Sequence, residues 1–131
     1  MKAFALALAF ASVGGLALAA DPVEGIWQTK ADDNGNFGFV QIAPCGAKLC
    51  GVLIKAFDGK GAEMKSPNIG KRIVWDMVPQ GDGAYGDGQV WAPDRDKTYA
   101  SKMALSGKTL AVSGCVLGGL FCRSSEWVRV K

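Results

Sequence analysis

Apolar and polar residues alternate along most of the chain, and glycine, proline and aspartate cut the alternation into short extended segments. Residues 25–30 set Trp27 and Thr29 against Gln28 and Lys30, which predicts a first strand with one wet face. Asp32, Asp33, Asn34, Gly35 and Asn36 then have the composition of a turn. Residues 37–43 and 49–56 predict the second and third strands, the third apolar on both faces except at Lys55. Residues 71–77 predict a short fourth strand, and residues 88–91 a fifth that stops at a turn carrying Pro93. The sixth, residues 97–105, places Tyr99, Ser101, Met103 and Leu105 on one face. Residues 57–70 and 80–88, rich in glycine and charge, read as exposed loops, and the second holds Tyr85.

The last two segments, residues 108–116 and 121–130, meet at Gly118-Gly119. A Gly-Gly tip suits the primed turns of two-residue hairpins, because both central residues can take positive φ. Counting outward pairs Leu117 with Leu120, Val116 with Phe121, and Cys115 with Cys122. Opposed strand residues lie roughly 4.5–5.5 Å apart at Cα, within disulfide range. Cys45 and Cys50 flank a second short tip in the same way, so of the three connectivities open to four cysteines the spacing selects 45–50 and 115–122. A four-thiolate zinc site is disfavoured: four and six residues separate the cysteines of each pair, at or beyond the usual spacing.

After residue 20 no segment keeps helical spacing for more than two turns without meeting glycine or proline. About eight short strands and 18 glycines predict an all-β fold, an antiparallel up-and-down meander. An open meander leaves two bare edges, which closure into a small barrel removes. In an even-numbered meander the first and last strands run antiparallel, so closure predicts that Trp27 lies beside Arg129, where guanidinium can stack on indole. Gly25 and Trp127 belong to the same seam.

Composition adds the compartment and removes several chemistries. Residues 1–19 carry Lys2, an apolar run and Ala17-Leu18-Ala19, which predicts a cleaved signal peptide followed by a single domain over residues 20–131. The expected location is periplasmic or secreted, with no stable membrane insertion after cleavage; paired cysteines fit that compartment. The formal charge is only +3 with its signs interspersed, giving no electrostatic case for nucleic acid or a membrane surface. There is no histidine, which removes the usual general base and the commonest metal ligand. Ser124-Ser125-Glu126 places its serines on opposite faces of a strand with no base to complete a triad. Asp94 and Asp96 sit in a turn where aspartate is common, and Asp32-Asp33-Asn34 lacks the later glycine and glutamate of a calcium loop. No catalytic residue, metal or cofactor is assigned, and the chain is not read as an enzyme.

Gly25-Ile26-Trp27 with an arginine on the last strand resembles the signature of the lipocalin and wider calycin barrels. A fuller set of motifs is similar to DUF2147, a family of small exported bacterial proteins of unknown function. The set comprises Ile42-Ala43-Pro44-Cys45-Gly46, Leu49-Cys50-Gly51, Asn68-Ile69-Gly70-Lys71, Pro93 with Lys97-Thr98-Tyr99, and Trp127-Val128-Arg129. Asp96 stands where that family's turn usually has glycine. The resemblance implies a lipocalin-like periplasmic barrel and no established reaction.

An eight-stranded barrel has an interior just wide enough for its own side chains or for one small ligand. The first functional expectation is therefore binding of a small apolar or amphipathic molecule, lined by Phe39, Trp75, Tyr85, Trp91, Tyr99 and Met103, with loops 57–70 and 80–88 as the mouth. The second is a protein–protein module with a filled barrel: an enzyme inhibitor or a periplasmic envelope-stress partner.

Overall fold

The computed structural model describes residues 20–131; the expected signal peptide lies outside the described residues. Its strands are β1 Gly25–Gln28, β2 Phe37–Cys45, β3 Lys48–Phe57, β4 Glu63–Met64, β5 Arg72–Gly81, β6 Ala84–Ala92, β7 Lys97–Ser106, β8 Thr109–Val116 and β9 Phe121–Arg129. All pair antiparallel. Eight close into a lipocalin-like barrel in the order β1-β2-β3-β5-β6-β7-β8-β9, while the two-residue β4 rests on the end of β3.

The seam between β1 and β9 is short: Trp27 pairs with Arg129 and Gln28 with Val128. Backbone bonds extend it, the Ile26 amide donating to the Lys131 carbonyl at 2.9 Å and the Val130 amide to the Ile26 carbonyl at 2.8 Å, and side chains reinforce it. The Arg129 guanidinium lies 4.4 Å from the centroid of the fully buried Trp27. It also donates from Nη1 to the Glu24 carbonyl at 3.0 Å and from Nη2 to the Pro22 carbonyl. Trp27 Nε1 in turn donates to the Val23 carbonyl at 2.9 Å. Gly25 has φ +138°, and a Cβ there would stand 2.7 Å from Arg129 Nη1 and 2.5 Å from the Lys131 carbonyl oxygen. Only glycine lets the chain ends approach this closely.

Residues 21–24 thereby fold across one end of the barrel. Tyr85 donates its hydroxyl to Asp21 Oδ1, which also accepts the Val23 amide at 2.9 Å. Burial first, and then the Asp21 carboxylate, hold the phenol pKa well above its ordinary value. Below the plug pack Trp27, Ile42, Met77, Met103 and Leu110, all buried.

Both disulfides join the expected partners, Cys45–Cys50 and Cys115–Cys122. They sit at opposite ends, because β2–β3 and β8–β9 turn at opposite ends of the meander. At the second tip Gly118 and Gly119 have φ +68° and +94°, and Cys115 faces Cys122 in the ladder. The ladder stops at Val116–Phe121; Leu117 and Leu120 are joined instead by one 3-10 turn, Leu117–Gly119.

One predicted loop is corrected. Residues 80–88 belong mostly to strands, because β5 runs to Gly81 and β6 starts at Ala84, turning at Asp82-Gly83. Both turn residues have positive φ, +56° and +80°, as a primed hairpin requires. The glycines that suggested a loop serve close packing: a Cβ on Gly88 would meet Met77 Sδ at 2.5 Å. Asp96, in the turn after β6, keeps a left-handed φ of +50°, which aspartate tolerates better than most residues.

Arg129→Ala removes two hydrogen bonds to carbonyls and uncovers Trp27. The expected cost is about 2–4 kcal/mol, seen as a melting midpoint lower by roughly 10 °C or more with red-shifted tryptophan emission. Arg129→Lys should recover only part, since an ammonium cannot serve two carbonyls and an indole face with one planar fork. Unchanged melting and emission in Arg129→Ala would refute this role for the contact.

Candidate functional site

The half of the barrel away from the plug is hollow. Its cavity measures about 960 Å³ and opens between the β1–β2 loop, the β6–β7 turn and the β8–β9 tip. The wall is apolar at depth, formed by Val40, Leu53, Ile73, Val90 and Val112, and Trp127 marks the floor where the packed half begins. The rim is polar and carries charges of both signs, among them Lys30, Asp32, Asp94, Arg95 and Arg123. An apolar chamber with polar groups at its mouth is the usual form of a small-molecule site.

Interior glycines show where the barrel is full and where it is empty. At Gly51, on the inner face of β3, a Cβ would crowd Val40 at 2.8 Å and Val74 at 2.9 Å. At Gly114, in the cavity wall, it would meet Tyr99 and Val90 at an ordinary 3.4 Å. Ser101, the neighbour of Gly114 on β7, has a buried hydroxyl with no hydrogen-bond partner.

The six residues expected to line a ligand site occupy three environments. Trp91 and Tyr99 line the cavity. Tyr85 and Met103 lie in the packed half, paired with each other across β6 and β7, and do not reach the cavity. Phe39 and Trp75 are outside it. Phe39 runs in phase with the exposed Gln41, opposite in face to the buried Val40 and Ile42, and its ring lies 4.7 Å from that of Phe57. Phe37 stacks on the same Phe57 ring at 5.0 Å. Trp75, half-buried and paired with the exposed Gln89, lines a shallow depression of about 230 Å³ with Lys71, Arg72 and Trp91.

Of the two loops expected at the mouth, one lies there and the other does not. The 58–71 segment lies at the open end and contributes Met64 and Asn68 to the cavity. The turn at Asp82-Gly83 lies at the plugged end, because successive connections of a meander alternate ends. The residues that pattern reasoning passed over are the small and aliphatic ones of the wall. Their signal was present in the inward phase of Gly38, Val40 and Ile42 along β2.

At the rim, Trp91 Nε1 donates to Asp96 Oδ1 at 2.9 Å, and Lys71 Nζ stands 5.4 Å from the Trp91 ring centroid. The turn residue Asp96 thus orients an indole at the mouth. The nearby Tyr99 hydroxyl raises the Arg95 pKa further above its ordinary value, so this rim cation is permanent. Ser125 lines the cavity, whereas the Ser124 hydroxyl bonds to that of Ser113. Among the described residues no cluster of cysteine and carboxylate side chains is arranged to hold a metal.

The family model DUF2147, described as an uncharacterized protein conserved in bacteria, matches residues 25–129. A solved structure from Helicobacter pylori, of a protein described as belonging to the lipocalin family, superposes with a TM-score of 0.67 at 19% identity, covering 86% of this chain and 85% of that one. The likeness shows a shared fold. No curated protein matches the chain.

The contrast between the two halves is testable at the two glycines. Gly51→Ala overpacks a full interior and is expected to cost about 1–3 kcal/mol. Gly114→Ala should change stability by less than about 1 kcal/mol. Equal losses in thermal melts would mean that the upper half is as tightly packed as the lower.

Proposed function

The chain belongs to the DUF2147 family, and from that premise and its cavity we propose that it is an exported carrier of one small apolar or amphipathic molecule, held in the open half of the barrel. The observation that carries the reading is the chamber itself: about 960 Å³ is within the range of small-molecule sites. A purely structural barrel would be expected to fill that space with side chains, as this one does at its plugged end.

Trp91 and Tyr99 are the aromatic contacts of the proposed site, and Val40, Leu53, Val90 and Val112 its apolar wall. The rim charges would stay hydrated around the ligand's polar end. Two disulfides and the signal-like residues 1–19 support a periplasmic or secreted setting. Binding rather than catalysis is favoured because the barrel fold is that of a lipocalin-like protein and the chain has no histidine to serve as a general base.

The test uses a solvatochromic apolar probe, N-phenyl-1-naphthylamine. Wild-type protein should enhance its fluorescence saturably at about one equivalent. Gly114→Leu, which projects a side chain into the chamber from a position with room for it, should weaken binding by at least about tenfold. Its melting midpoint should stay within about 5 °C of wild type. No enhancement by wild type, or equal enhancement by the blocked variant, would overturn the reading. Native mass spectrometry of protein taken from its own cells, followed by solvent extraction, would then define the ligand class.

A further inference from the structure

Seven large apolar side chains are exposed among the described residues, and four of them, Val116, Leu117, Leu120 and Phe121, form a single hairpin tip. Leu117 and Leu120 are 71% and 72% exposed. A fifth, Ile69, lies on the 58–71 segment at the same end of the barrel. The tip reads Val-Leu-Gly-Gly-Leu-Phe, six residues without a polar side chain. Exposed turns are normally built from glycine, asparagine, aspartate and serine, so leucine and phenylalanine here run against turn chemistry. Contiguous exposed apolar groups of this kind usually mark a surface that meets something.

Val116 and Phe121 also border the cavity mouth, so Leu117 and Leu120 are the outermost pair. Leu117 has φ +54°, a left-handed conformation unfavourable for a bulky residue, and glycines with positive φ follow it. The Cys115–Cys122 disulfide clamps the base of the tip. A strained leucine on a clamped, water-exposed turn is a costly arrangement unless its exposure serves a purpose.

We propose that this tip is a membrane-docking element that enters the interfacial region of a bilayer bearing anionic headgroups. Two observations select lipid over a second copy of the chain. The tip is a protrusion of four side chains, whereas a stable protein interface takes roughly 20–30 residues a side. Its charge is complementary to an anionic surface: from Thr109 through Ser125 the single charged residue is Arg123, directly behind the tip on β9. Apolar groups at the front with a cation behind is the arrangement of interfacial binding segments. The acids at this end are engaged locally: Asp32 accepts from the Asn34 and Asn36 backbone amides at 2.8 and 2.9 Å, Asp96 accepts from Trp91, and Asp94 lies beside the Arg95 cation. The whole-chain charge, which gave no case for a membrane surface, averages over this local segregation.

Docking at this tip sets the cavity mouth against the bilayer, so that an apolar ligand would pass between lipid and barrel without crossing water. That consequence rests on the carrier reading; the docking does not.

The experiment is flotation of the purified chain with vesicles of phosphatidylethanolamine and phosphatidylglycerol at three to one, with phosphatidylcholine vesicles alongside. Wild type should float with the anionic vesicles. The double variant Leu117→Ser/Leu120→Ser should lose at least about tenfold in bound fraction at unchanged melting. Arg123→Glu should weaken binding to anionic vesicles selectively. Absence of wild-type flotation, or equal flotation of wild type and double variant, would overturn the proposal. So would a concentration-dependent dimer in sedimentation equilibrium that the double variant loses, since the tip would then be a self-association surface. Probe binding by the Gly114→Leu chain is a separate readout, so failure of the carrier reading and failure of docking are distinguishable.

Discussion

The Arg129 guanidinium on the Trp27 indole is the contact on which the barrel depends. β1 is four residues long and meets β9 over two ladder pairs, extended only by the bonds of Ile26 to Val130 and Lys131. Left there, the sheet would present the bare edges that closure is meant to remove. One planar side chain reinforces that short backbone seam. It covers an indole, donates to the carbonyls of Glu24 and Pro22, and by fixing that segment carries Val23 into the core. Lysine could not make this set of contacts, and no residue but glycine could occupy position 25 beneath it.

The seam also explains why the molecule is asymmetric along its axis. Closure at Trp27 draws residues 21–24 over one end, and Tyr85 locks that segment through Asp21. Large residues, Met77, Met103, Tyr85 and Trp27, then fill the lower interior, leaving glycines 51 and 88 as the only fit beside them. Nothing comparable crosses the other end. There the connections are the turns at residues 29–36 and 93–96, the 58–71 segment and the β8–β9 tip, held by local bonds such as those of Asp32 and Asp58. A barrel plugged at one end by the segment that precedes its first strand and open at the other is a cup.

Those parts of the fold governed by counting were legible in the sequence. The Gly-Gly tip fixed the register that brings Cys115 opposite Cys122, and the even number of strands placed Trp27 beside Arg129. The parts governed by composition were misread. Residues 80–88 hold four glycines, yet Asp82-Gly83 is a hairpin signal, and Gly86 and Gly88 are strand positions where Gln80 and Met77 lie too close for a Cβ. Large aromatics divide: Trp91 and Tyr99 line the chamber, whereas others do not. Phe39 attracts attention by size, but its phase with Gln41 sends it outward. The irregularity at Phe39/Val40, where Leu53 and Lys55 face consecutive residues of β2, cannot be seen in either strand alone. The chamber itself is made of absences, small residues where large ones would fit, and hydrophobic size points a reader away from it.

The same asymmetry governs the disulfides, which do different work at the two ends. Cys45–Cys50 ties a turn beside an end already fixed by the terminal plug. Cys115–Cys122 ties a tip with little packing of its own, for Leu117 and Leu120 are mostly exposed and Val116 and Phe121 border the cavity mouth. Closing a loop this short removes little entropy from the unfolded chain, so the bond adds only about 2.5 kcal/mol to global stability. Its larger effect is local. Without it the ladder could fray from Val116 inward and the apolar tip could fold over the mouth, covering both the chamber and itself. The covalent clamp therefore opposes the collapse that so apolar a tip would otherwise favour.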